Sequence, residues 1–211
     1  MVSRRSLITP ALRLDPESPE ALATLGTLAL ERQDPASASG LFARALDGKP
    51  NSGRSWVGKG LAHMLQLDLD EAEPALRRAV EHLPTHLGTR QALAWVQILK
   101  QDFAGAETTL RETLELDRTF GETHGGLAIV ALARGNAAEA REYARRAVGL
   151  DPRSFSGRFA QSLLAQHAGH PNAARQIIAR LMDSVPASSA GTFREAIVKF
   201  AAAANQLRPR R

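Results

Sequence analysis

The feature that most constrains this chain is a period of 34 residues. Pro16, Pro50, Pro84, Pro152 and Pro186 stand on one 34-residue grid, with Arg118 at the vacant point. Ala38, Ala72, Ala106, Ala140 and Ala174 form a second row without exception. A third row is always small (Gly26, Gly60, Ala94, Ala128, Ser162), and a fourth is always apolar (Ile8, Phe42, Leu76, Leu110, Ala144, Ile178). A fifth runs Ala11, Ala45, Ala79, Thr113, Ala147 and Leu181. Rows in one register mean one supersecondary unit used repeatedly, each copy burying its apolar face against its neighbours.

Each repeat reads as a helix pair. With slots counted from Pro19, the repeats are 19–52, 53–86, 87–120, 121–154 and 155–188. Ser18, Ser52, Ser154 and Ser188 stand where a hydroxyl caps the first helix. Turn signals follow at Gln33–Asp34, Leu67–Asp68, Gly135–Asn136 and Gly169–Pro171. The small residues at slots 8 and 20 permit close approach within a pair, and the larger ones at slots 7, 24 and 28 fill the space between pairs. Residues 1–18 are predicted to be an N-terminal half-repeat or cap, and 189–211 a capping helix (Thr192–Gln206) with a basic tail.

The pattern resembles the tetratricopeptide repeat family, whose consensus is Trp-x2-Leu-Gly-x2-Tyr followed by Ala, Phe, Ala and Pro at fixed slots. The first repeat has Leu25, Gly26, Ala38, Phe42, Ala45 and Pro50; the second has Trp56, Gly60, Ala72, Leu76, Ala79 and Pro84. The departures are local: Lys59 and Gln161 replace the apolar residue of slot 7, and slot 11 never carries Tyr. The resemblance implies an all-α fold, a right-handed solenoid of stacked antiparallel helix pairs whose first helices line a concave surface.

Composition excludes several classes. The chain has no cysteine, which removes disulfides, thiolate metal sites and Cys nucleophiles together. No run approaches the roughly 20 apolar residues of a membrane span, so no membrane span is expected. The net charge is +5, but Arg4, Arg5, Arg208, Arg210 and Arg211 account for all of it at the two ends, so no nucleic-acid partner is expected. The chain as written reads as cytoplasmic, or periplasmic or envelope-associated if it is part of a longer precursor.

Motifs that could carry chemistry all have plainer readings. Gly121–Asn136 (GETHGGLAIVALARGN) begins like a phosphate loop, yet no strand precedes it and it falls on the first helix of the fourth repeat. His82 and His86 flank the helix-breaking Pro84 and read as solvated loop residues. His167 and His170 flank a turn with no carboxylate close in sequence. His63, at slot 11, is expected to pack against its own repeat's second helix, and Leu67–Glu73 lacks the spacing of a calcium loop. Spacing reveals no Ser–His–Asp arrangement. No metal, no cofactor and no enzymatic activity are expected.

What remains is a binding surface. By resemblance, slots 2, 5, 9, 12 and 13 of the first helices face the groove. Slots 5 and 9 lack the Lys, Asn and Arg of a carboxylate clamp, and no Asn ladder of the sugar-transferase arrays is present. The candidate groove is apolar instead: Val57, Leu61, Met64, Leu65, Gln91, Trp95, Ile98, Leu99, Ile129, Leu132, Phe159 and Leu163. Such a face fits a protein or peptide partner, as an extended segment or an amphipathic helix, in a bacterial adaptor, chaperone or assembly factor. Three alternatives stay open: burial of this face within the chain itself, including by the Phe193, Ile197 and Phe200 stripe; a regulatory segment of a larger enzyme; and a self-associating scaffold joined through terminal helices.

Overall fold

A computed structural model describes residues 16–184. The predicted terminal pieces therefore lie outside the described residues, apart from Pro16, Glu17 and Ser18. Among the described residues there are ten helices and no strand. The first helices of the pairs are α1 (Pro19–Glu31), α3 (Gly53–Leu65), α5 (Leu87–Leu99), α7 (Gly121–Ala133) and α9 (Phe155–His167). The second helices are α2 (Pro35–Gly48), α4 (Leu69–His82), α6 (Phe103–Leu116), α8 (Ala137–Leu150) and α10 (Pro171–Ser184). Successive first helices start 34 residues apart, and so do successive second helices.

Local chemistry sets the helix ends. Ser18, Ser52 and Ser154 accept bonds from the N–H groups of Ala21, Ser55 and Gly157. Asp34, Asp102 and Asn136 do the same for α2, α6 and α8. Between the helices of each pair the chain enters the left-handed region at slot 15, with φ of 61° at Gln33, 60° at Leu67, 62° at Gln101, 83° at Gly135 and 84° at Gly169. The turn is closed by an N–H bonding the carbonyl five residues back, as Asp34 does to Ala29 at 2.9 Å and Asn136 to Ala131 at 2.9 Å. Glycine adopts this backbone without strain, so the sequence advertises the turn only in the last two repeats.

The chain divides into two compact blocks at Pro84 and Thr85. In the first, α1 packs on α2, α2 on α3, and α3 on α4. Phe42, at slot 24, is the centre: a methyl added at Gly26 of α1 would stand 2.9 Å from its ring, and one at Gly58 of α3 would stand 2.2 Å from it. One aromatic side chain thus sits between slot 8 of its own repeat and slot 6 of the next, which is why both slots are glycine. In the second block, Leu110 of α6 lies against Gly126 of α7 in the same way, at 2.7 Å from an added methyl. The alanine rows at slots 20 and 27 are buried in both blocks. Burial of this apolar area drives the packing at ~25 cal/mol per Å².

Slot 4 closes the seams between successive repeats. Trp56 Nε1 donates to the Pro50 carbonyl, His124 Nε2 to the Arg118 carbonyl, and Arg158 Nε to the Pro152 carbonyl, each at 2.8 Å. His124 is therefore a buried tie between backbone turns, in the middle of a packed helix start. The Gly121–Asn136 stretch is α7 and its turn, as its place in the repeat requires.

Candidate interaction surface

The twelve groove residues expected from the sequence fall into two environments. Val57, Leu61, Leu65, Leu99 and Leu132 are half-buried. Met64, Gln91, Trp95, Ile98, Ile129, Phe159 and Leu163 are buried, with Trp95 5% and Phe159 0% exposed. The open row of anchors expected from the family pattern is not what surrounds Trp95 and Phe159, and the cause lies in the small residues of the second block.

Gly125, at slot 5 of α7, has no side chain, and α9 packs directly onto the space. A methyl there would stand 2.6 Å from Ser156 Cβ and closer still to the backbone of Ser156 and Gly157. This approach carries Ser156 across α7 to α5, two repeats away. Its hydroxyl accepts from Trp95 Nε1 and Gln91 Nε2, both at 3.2 Å, and donates to Glu122 Oε2 at 2.6 Å. Glu122 also accepts from the Phe155 and Ser156 N–H groups at 2.6 and 3.0 Å, a carboxylate at the N-terminus of α9 where the helix dipole favours it. Trp95 meets Phe155 edge-on and Phe159 at a tilt, both with centroids 5.8 Å apart. Self-burial therefore holds for this part of the face: Trp95 and Phe159 grip each other.

The first block differs. Its first-helix face has Ala23, Thr27 and Leu30 on α1 and Val57, Leu61 and Leu65 on α3, of which only Ala23 is buried. Beside it lies a cavity of about 300 Å³ lined by Pro19, Glu20, Ala23, Thr24, Thr27, Lys49, Ser52 and Arg54. Lys49 Nζ donates to Glu20 Oε1 at 2.7 Å, and that bond holds the Glu20 carboxyl below the usual carboxylate range. Arg54, at slot 2 of α3, is exposed at the rim.

Among the described residues no group of three or more His, Asp or Glu side chains forms a metal site. No described helix is long and apolar enough to cross a membrane. Two of the histidines take other places than the sequence suggests. His86 is exposed in the loop before α5, where it also serves as N-cap, its Nδ1 accepting from the Thr89 N–H at 3.2 Å, whereas His82 sits half-buried in the last turn of α4 rather than in the loop. His63 does not simply face its own repeat's second helix. It bonds Ser39 of the preceding repeat at 3.0 Å and Asp68 at 3.2 Å, a trio that sequence spacing alone does not reveal.

Helix pairs repeating at 34 residues, with small side chains or none at slots 6, 8 and 20, define a repeat-built interaction module. Tetratricopeptide repeat family models match residues 3–52, 23–86 and 63–128, more than half of the chain. The chain belongs to the tetratricopeptide repeat family. Among curated proteins no relative matches it. Among solved structures it is similar to TTC0263, a thermophilic protein of Thermus thermophilus, at 18% identity and a TM-score of 0.66 over 90% of this chain and 100% of that one. It is also similar to PilF of Pseudomonas aeruginosa, at 19% identity and a TM-score of 0.66 over 94% and 88% of the two chains. YrrB, described as a TPR protein with an unusual peptide-binding site, aligns at 14% identity and a TM-score of 0.61 over 94% and 97%. At these identities the likeness is one of fold.

Proposed function

We propose that the protein binds an extended peptide or amphipathic helix of a protein partner along the α1–α3 face of its first block, as an adaptor, chaperone or assembly factor. The observation that carries this reading is the contrast between the blocks. In the second, α9 packs over Trp95 of α5 and Gly125 of α7, and Leu99 and Leu132 are half-buried; in the first, Val57, Leu61 and Leu65 stay half-buried beside a 300 Å³ cavity. The face suits a ligand with apolar side chains on one edge, for α3, and polar groups on the other, for Lys49, Glu20 and Arg54. YrrB, a protein of the same fold, is described as having a peptide-binding site, which supports the ligand class.

Three apolar anchors at ~1.5–3 kcal/mol each must offset an association cost of at least ~4 kcal/mol. The balance, at most ~5 kcal/mol, corresponds to a weak affinity, with a Kd no tighter than about 0.2 mM. Of the predicted groove residues, Trp95, Ile98 and Phe159 then serve as the packed support of the second block. The test is selection of peptide ligands from a displayed library on the purified chain, followed by titration against Leu61→Glu and against Leu132→Glu. Loss of binding in the Leu61 variant alone supports the reading. Equal loss in both, or loss only with Leu132, overturns the assignment to the first block.

A further inference from the structure

Ser39, His63 and Asp68 come from three different elements: the body of α2, the last turn of α3 and the N-cap of α4. Ser39 Oγ lies 3.0 Å from His63 Nε2, and His63 Nδ1 lies 3.2 Å from Asp68 Oδ2. An ionised carboxylate only accepts, so Nδ1 carries the imidazole proton and donates it to Asp68. Nε2 is then the acceptor, and the Ser39 hydroxyl donates to it. That proton order is what general-base activation of a serine requires.

A second observation concerns Asp68. At the same slot Asp34, Asp102 and Asn136 each cap their helix with a side-chain bond, whereas Asp68 makes no such bond to α4. Its carboxylate is turned to His63 instead. The trio is also within reach of solvent: the Asp68 side chain is 47% exposed and that of His63 14%. Close by, the Gln66 amide donates to the Pro35 carbonyl at 3.4 Å, one helical turn before Ser39, and to the Ala62 carbonyl at 3.2 Å.

We propose that Ser39 is a nucleophile toward small activated esters, with His63 as general base and Asp68 as the residue that positions it. Ser39 Oγ bonds the ester carbonyl carbon while its proton passes to His63 Nε2. The tetrahedral intermediate collapses, the ester C–O bond breaks, and the leaving oxygen takes the proton back from His63. Water then attacks the acyl-serine by the same route, releasing the carboxylic acid and restoring Ser39. No oxidant or cofactor enters. The open setting suits a small acyl group, and none of the residues of the α1–α3 binding face takes part.

The experiment is fluorophosphonate labelling of the full-length protein, with the adduct located by peptide mass mapping, alongside p-nitrophenolate release from p-nitrophenyl acetate. The labelled residue is expected to be Ser39, and Ser39→Ala abolishes the adduct. His63→Gln lowers the labelling rate about 100-fold, the low end of general-base effects. Asp68→Asn lowers it at least about tenfold while keeping a good capping residue, so the fold is preserved. No adduct, an adduct elsewhere, or equal rates in wild type, His63→Gln and Asp68→Asn would overturn the proposal. A trio that only staples α2 to α3 predicts lower stability in those variants with labelling unchanged at background.

Discussion

Replacing Gly125 by alanine tests how the second block is wound. An added methyl meets Ser156 Cβ at 2.6 Å and the α9 backbone more closely, whereas ordinary contacts begin at 3.4 Å, so α9 must retreat by about 1 Å. The two bonds from Gln91 and Trp95 to Ser156, already 3.2 Å long, then pass beyond hydrogen-bonding distance. Their loss costs ~1 kcal/mol each, and the residual crowding adds ~1–2 kcal/mol. Alanine's better helix propensity returns ~1 kcal/mol. The net expectation is a loss of about 2–3 kcal/mol. Gly40 in α2 and Gly149 in α8 are internal controls, because a methyl at either meets nothing within 4 Å. Gly40→Ala and Gly149→Ala should each stabilise by up to ~1 kcal/mol. Urea denaturation followed by far-ultraviolet circular dichroism, with Trp95 fluorescence reporting the second block, measures all three. A Gly125→Ala protein as stable as the two controls would refute the packing of α9 against α7.

The slot-15 turns give a second expectation. Gln33→Gly and Gln101→Gly, both exposed with φ near 60°, should raise stability by ~0.5–1 kcal/mol, and Gly135→Ala should lower it by ~1 kcal/mol, as read by thermal unfolding. Thr109 Oγ1 donates to the buried Gln97 Oε1 at 2.9 Å; Thr109→Val strands that amide and should cost ~1–3 kcal/mol in the same assay. Acid sensitivity follows from depressed carboxyls: Ser37 bonds lower Asp34 and the Arg145 bond lowers Glu142, so their contribution is present above the ordinary carboxylate range and is lost as pH falls through the depressed values. Asp34→Ala should flatten the acid limb of a stability-against-pH profile.

The sequence carries the repeat because the repeat is made of contacts that recur. Phe42 needs glycine at slots 6 and 8, so the pattern of small and large residues states the packing directly. The left-handed turns are legible at Gly135 and Gly169 and hidden at Gln33, Leu67 and Gln101, where context holds ordinary residues in a strained backbone. The closure of the second block is not periodic at all. It depends on Gly125 and Ser156, ordinary members of their rows, letting residues 61 apart meet at Trp95 and Ser156. For the same reason the sequence placed Trp95 and Phe159 on an open face. The Ser39–His63–Asp68 trio was equally hidden, because it joins slots of two repeats.

Binding is left to the α1–α3 face only if Trp95 is packed support for the second block. Acrylamide quenching of Trp95 fluorescence in a Trp56→Phe chain tests this most directly. A Trp95 that is 5% exposed and held by Ser156, Phe155 and Phe159 should emit at short wavelength and resist quenching. Quenching close to that of a free indole would place Trp95 on an open groove and contradict its role as support.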